Sequence, residues 1–160
     1  MVNTIDLTTP QTTGSNAGYM LNRQEQLWEG APARVRRRAF TVQNSPDWGG
    51  LTPGTGDIVK TQVIDQGVFV IMAFLNVLTA GSASSTVVVG DSTSNSQYLN
   101  NVSTAATGTF ISAATAWKWY MAAADTLLVT LGVTAAATGA VLDVGYVGIS
   151  IMPNAAPVTE

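Results

Sequence analysis

The chain has no cysteine and no histidine. The first absence removes any disulfide framework and leaves the redox compartment open. The two together remove Ser-His-Asp and Cys-His nucleophile systems and the usual His/Cys zinc sites. Charge is scarce as well: 11% of the 160 residues are Asp, Glu, Lys or Arg, against 46% apolar residues, with a formal net charge of −3. A lone soluble domain carries about 25% charged residues. A chain this poor in charge either coats itself with Thr and Ser or covers part of its surface with partners. Long apolar runs are also missing. "VFVIMAF" runs on through Asn76 to "VLTA", and the Ala-rich region after Met121 is broken by Asp125 and Asp143. Neither reaches the about 20 residues of a membrane span. The first residues, "MVNTIDLTTPQTTG", are polar, include Asp6 and do not read as a signal peptide. A soluble protein with no membrane partner is expected.

What is present begins with a change of texture near Gly56. In the segment 1–55, residues 1–32 mix Thr, Gln, Asn and Gly, an arginine stretch follows, and "NSPDWGGLTPGTGD" packs turn-forming clusters closely together. This segment reads as an extended N-terminal arm and loop, disordered alone or ordered against something. Residues 56–153 carry repeated strand signals, and 154–160 form a short tail. Strands are expected at about 58–64, 68–79, 85–90, 97–102, 108–113, 117–121, 126–133 and 140–152, where β-branched and aromatic residues lie between breakers such as Asp65-Gln66-Gly67 and Thr138-Gly139. No capped 3.6-residue pattern competes with them. The fold class is all-β: an antiparallel two-sheet sandwich, jelly-roll-like, with the arm attached. In "AVLDVGYVGIS" both alternating sets are substantially apolar. That suits a strand covered by the core on one side and by a subunit on the other, or a central strand with one weakly polar outer face.

Chemistry has little to work with. A carboxylate pair, a Ser-Lys arrangement using Lys60 or Lys118, and a hard-metal oxygen site are the remaining options. "GDSTSNSQ", Gly90 to Gln97, has oxygen-bearing side chains but only Asp91 as a carboxylate, and it lacks the closing Glu of an EF-hand. It reads as a polar turn. "TPGTGD" has no following Lys-Ser/Thr and is no phosphate loop. Asp57 and Asp125 each precede an apolar strand, where Asp accepts backbone hydrogen bonds in turns. With Asp65 and Asp143 they show no spacing that argues for a glycosidase pair. No enzyme activity, metal or cofactor is expected. "Asn101-Val102-Ser103" is formally a glycosylation acceptor, without weight in the absence of a secretory signal.

Two features remain. In "WKWYM", alternation puts Trp117 and Trp119 on one face and Lys118 and Tyr120 on the other. The tryptophans suit a core, a subunit interface or a platform for a sugar ring. In "ARVRRRAFTV", four of the chain's seven positive charges (Arg34, Arg36, Arg37 and Arg38) fall in five residues. If extended, Arg34, Arg36 and Arg38 share one side, with Val35, Arg37 and Ala39 opposite. Nucleic-acid binding wants further basic residues and a domain basic overall, whereas only Arg23, Lys60 and Lys118 remain and the pI is about 4.7. Docking on an acidic protein surface through paired guanidinium forks fits better. No direct nucleic-acid contact is expected. Trp28 and Trp48 read as anchors for a partner's pockets.

The succession "GDIVKTQVIDQGVFVIMAFLNVLTAGSASSTVVVGDS … AADTLLVTLGVTAAATGAVLDVGYVGISI" resembles the capsid decoration (cement) proteins of tailed bacteriophages, over roughly residues 56–152. The resemblance implies a β-sandwich or β-tulip that sits as a trimer on the outer surface of the virion's head shell. It also implies bridging of neighbouring major capsid protein subunits against internal DNA pressure, often with an extended N-terminal arm. The long arm here departs from members with a compact N-terminal segment. The alternative is a phage fibre or receptor-binding carbohydrate module that uses Trp117 and Trp119.

Overall fold

The structure, a computed structural model, describes residues 2–8, 33–42, 52–132 and 139–150. Ten strands follow in chain order: β1 (Thr4–Asp6), β2 (Ala33–Thr41), β3 (Ile58–Ile64), β4 (Val68–Thr79) and β5 (Thr86–Gly90), then β6 (Leu99–Ser103), β7 (Gly108–Ile111), β8 (Lys118–Tyr120), β9 (Asp125–Leu131) and β10 (Val141–Ser150). They form two five-stranded sheets. The first has the order β1-β3-β9-β5-β6, and the second has β2-β10-β4-β7, with β8 also paired to β4. Every pairing is antiparallel except β1 with β3. Without β1 and β8, the strands wind between sheets as a jelly roll does, each sheet closing around one of the two last strands, β9 and β10.

All eight strands expected from the sequence are present. The difference lies in which strands make the jelly roll. The stretch 117–121 yields the short β8, which lies end to end with β7 on β4: β8 pairs with Val68–Val70 and β7 with Phe74–Val77. The eighth jelly-roll strand is instead the arginine segment. Ala33–Thr41 runs antiparallel to β10 over nine registered pairs, from Thr41↔Val141 to Ala33↔Ile149. Residues 4–6 likewise extend the first sheet beside β3. A boundary at residue 55 therefore leaves two strands of the sandwich on the arm's side. The physical reason is position: β2 is an edge strand, and an edge strand needs only part of one face apolar. Phe40 supplies that part, with Val42 just past the strand's end, at 8% and 0% exposure.

The core lies between the sheets. Val59, Ile64, Val87, Val89, Leu127, Val129 and Leu131 of the first sheet meet Val70, Ala73, Leu75, Leu142, Val144 and Tyr146 of the second, all buried. Each large aliphatic side chain so enclosed contributes about 1.5–3 kcal/mol. Polar ties cross the gap: the Gln62 amide donates to the Val144 carbonyl (2.9 Å), and the Tyr146 hydroxyl donates to the Val63 carbonyl (3.2 Å).

Candidate functional site

The outer face of the second sheet carries three of the residues that the sequence singled out, Arg37, Trp117 and Trp119. Register builds it row by row. The first row is Ile149–Phe69–Trp119. The second is Val35–Val147–Met72, with Ile71 added where the β4 register skips a residue. The third is Arg37–Gly145–Phe74–Ile111, and the fourth is Ala39–Asp143–Asn76–Thr109. The face thus grades from apolar to polar along β10. Large apolar side chains stand open on it: Val35 (58%), Ile71 (40%), Ile111 (57%), Trp117 (52%) and Trp119 (43%).

The aromatic corner has a definite geometry. Phe69 lies between the tryptophans, with ring centroids 5.6 Å from Trp117 and 4.7 Å from Trp119, both tilted. Such pairs stiffen the side chains without burying them. Alternation on β8 sends Lys118 and Tyr120 the other way, as the sequence indicated, and their destination was not legible. The Lys118 ammonium meets Asp91 Oδ2 at 2.6 Å, and the Tyr120 hydroxyl donates to the same oxygen at 2.6 Å. Tyr98 and Tyr120 share a hydrogen bond of 2.6 Å. Asp91 Oδ1 accepts from the Thr93 amide and hydroxyl and from the Ser94 amide. The polar turn after β5 is thereby pinned under β8, and the tryptophans are held at the sheet surface. Burial pushes the Asp91 carboxyl up, but the donors from Lys118, Tyr120, Thr93 and Ser94 outweigh it and hold the pKa at about 2. Burial pushes the Tyr120 and Tyr98 hydroxyls well above the ordinary tyrosine range, and for Tyr120 the bond to Asp91 adds to it. Gly90 permits the turn: a Cβ there would meet the Ser94 carbonyl oxygen at 2.1 Å.

The arginines do not act as a block. Arg36 is on the core side of β2, where its guanidinium donates to Asp65 Oδ2 (2.8 Å) and to the Val63 carbonyl (3.0 Å). Tyr146 reaches that same carbonyl. Arg37 is on the outer face, half exposed, with Nη1 3.8 Å from Asp143 Oδ2. Asp143 is 5% exposed; Asn76 donates to its Oδ2 at 3.2 Å, and its Oδ1 has no hydrogen-bond partner among the described residues. Arg38 registers with Val144 and Arg34 with Gly148. The carboxylates that Arg36 and Arg37 meet are thus the chain's own. Trp28 and Trp48 lie outside the described residues. Gly145 shapes the face beside Arg37, because a Cβ on it would meet the Phe74 ring at 2.6 Å and the Arg36 carbonyl oxygen at 2.3 Å.

Among the described residues no three Asp or Glu side chains cluster to hold a metal. Asp57 receives the Asn3 and Gly54 amides (2.8 and 2.7 Å), and Asp125 the Ser92 hydroxyl (2.9 Å), both of them turn-fastening roles. What the face offers chemically is contact: clustered aromatics, open aliphatics and a guanidinium.

No family model and no curated protein matches the sequence. Solved structures do match in fold. A chain from the capsid of Ralstonia phage GP4 is 17% identical with a TM-score of 0.56, covering 76% of this chain and 86% of that one. A chain from the acidic stable capsid structure of Helicobacter pylori bacteriophage KHP30 is 13% identical with a TM-score of 0.52, covering 78% and 90%. A chain from the capsid asymmetric unit of cyanophage Pam1 is 17% identical with a TM-score of 0.52, covering 88% and 99%.

Proposed function

We propose that this chain is a non-enzymatic structural protein of a phage capsid, and specifically a decoration protein. In this reading it adds to the outer surface of the shell as a homotrimer and cements neighbouring major capsid protein subunits. One observation carries the reading: its jelly roll matches chains of three phage capsids over 86–99% of their lengths. Low charge and an open apolar face support it, since both suit a protein that works in an assembly. Docking would use the arginine-bearing strand and its flanks (Arg34, Arg36, Arg37 and Arg38, with Trp28 and Trp48) against carboxylates and pockets of the shell. Arg36 fastens β2 to Asp65, and removing it would disturb the fold, so the probes are Arg34, Arg37 and Arg38. Repetition across a trimer multiplies weak contacts through effective concentration.

The test is co-sedimentation of the purified chain with empty heads of its phage. Saturable binding is expected, and in Arg34→Ala/Arg37→Ala/Arg38→Ala it should weaken at least tenfold. A chain that ignores the heads overturns the reading.

A fibre-type carbohydrate module is a second reading, favoured by the open Trp117–Phe69–Trp119 cluster. Its neighbours Ile71 and Ile149 offer sugar hydroxyls no hydrogen bonds. Glycan-array binding that disappears in Trp117→Ala would establish it; silence across glycans removes it.

A further inference from the structure

We infer that the outer face of the β2-β10-β4-β7/β8 sheet is the surface on which copies of this chain pack against one another. The inference rests on the self-association included in the functional reading, and not on the shell. A decoration protein reaches its shell from solution. A face bearing Val35, Ile71, Ile111, Trp117 and Trp119, each at least 40% exposed, has to be covered before that encounter. The material present in solution is the chain itself.

A further observation is size. Four strands at about 4.8 Å spacing and ten residues at about 3.3 Å give a face on the order of 600 Å². Covered by an equal area of a second copy, it buries about 1,200 Å² in total, the threshold of a stable specific interface. The composition fits as well: aromatics and aliphatics cover most of the face, and its polar groups lie toward one end.

Sedimentation velocity of the full chain from about 1 to 100 µM tests this, with circular dichroism as the check on folding. The wild type should associate. Ile71→Lys and Ile111→Lys, both at open positions, should weaken association at least tenfold and remain folded. Asn100→Lys, on exposed β6 of the other sheet, should leave it unchanged. A monomeric wild type overturns the inference, as does an oligomer indifferent to both lysines. If the lysines spare self-association but abolish binding to heads, the face belongs to the shell protein and the inference falls. If self-association responds as stated while heads are ignored, the inference stands and the decoration reading falls.

Discussion

Asp91 gathers five donors: two from Thr93, one from Ser94, and one each from Lys118 and Tyr120. Its carboxyl is held at about 2 against an ordinary value of 3.8. Because the folded value is depressed, the stabilisation is complete above about pH 4 and is lost as pH falls toward 2. That contribution is on the order of 2 kcal/mol. Asp91→Asn should therefore lower the melting temperature at neutral pH, by the equivalent of about 2 kcal/mol. It should also flatten the acid limb of a stability curve measured from pH 5 to 2. An unchanged acid limb would show that Asp91 is not the group responsible. Lys118→Met removes the chief charged donor, so it should move the acid limb to higher pH. In the sequence this residue looked like part of a polar turn, which it is; the partner strand 27 residues away was not visible.

At the scale of the element, β2 changes the meaning of the arginines. Its second edge pairs with no described strand. Charged and inward-pointing residues on such an edge discourage pairing with other chains. Arg36, on the core side and tied to Asp65, is placed for this as much as for docking. Arg36→Ala should cost about 1–2 kcal/mol through two lost charge-assisted bonds. Arg37→Ala, at 3.8 Å and half exposed, should cost under 0.5 kcal/mol in the monomer. Thermal melts of the two separate them, and equal losses would refute the distinction. Removing residues 1–45 should not leave a folded core, as deletion of a mere arm would. It strips β1 and β2 and opens the nine-residue β10 edge. The expected result is aggregation or loss of a cooperative melt.

For the whole molecule, the asymmetry between the two outer faces is the feature with consequences. One bears open tryptophans and isoleucines, while the other is lined by Thr86, Thr126 and Thr130, with Val88 and Leu128 half-buried. If arginine–carboxylate contacts carry docking on the shell, added salt should weaken binding to heads by screening. Apolar packing between copies should survive the same salt. Co-sedimentation and sedimentation velocity at 0.1 and about 1 M NaCl read these separately. A shell affinity indifferent to salt would count against the arginine contacts.

Alternation in stretches such as "TVVVG" and "DTLLVTL" marks strands whichever neighbours they find, because a pleated backbone turns successive side chains to opposite faces. That is why the strands from residue 58 onward, the all-β class and the two apolar sides of β10 were legible in the amino-acid order alone. The exposure of Trp117 and Trp119 was not, since alternation says that they share a face and not which face. Nor was the place of "ARVRRRAFT". A run of arginines carries no period-2 apolar signal, and it becomes a strand through nine long-range pairs to β10. The same holds for Lys118 with Asp91 and for the unmatched oxygen of Asp143. Local sequence decided where the strands from residue 58 onward are; only closure of the two sheets made a strand of 33–41 and decided which charges meet, because those contacts join residues far apart in the chain.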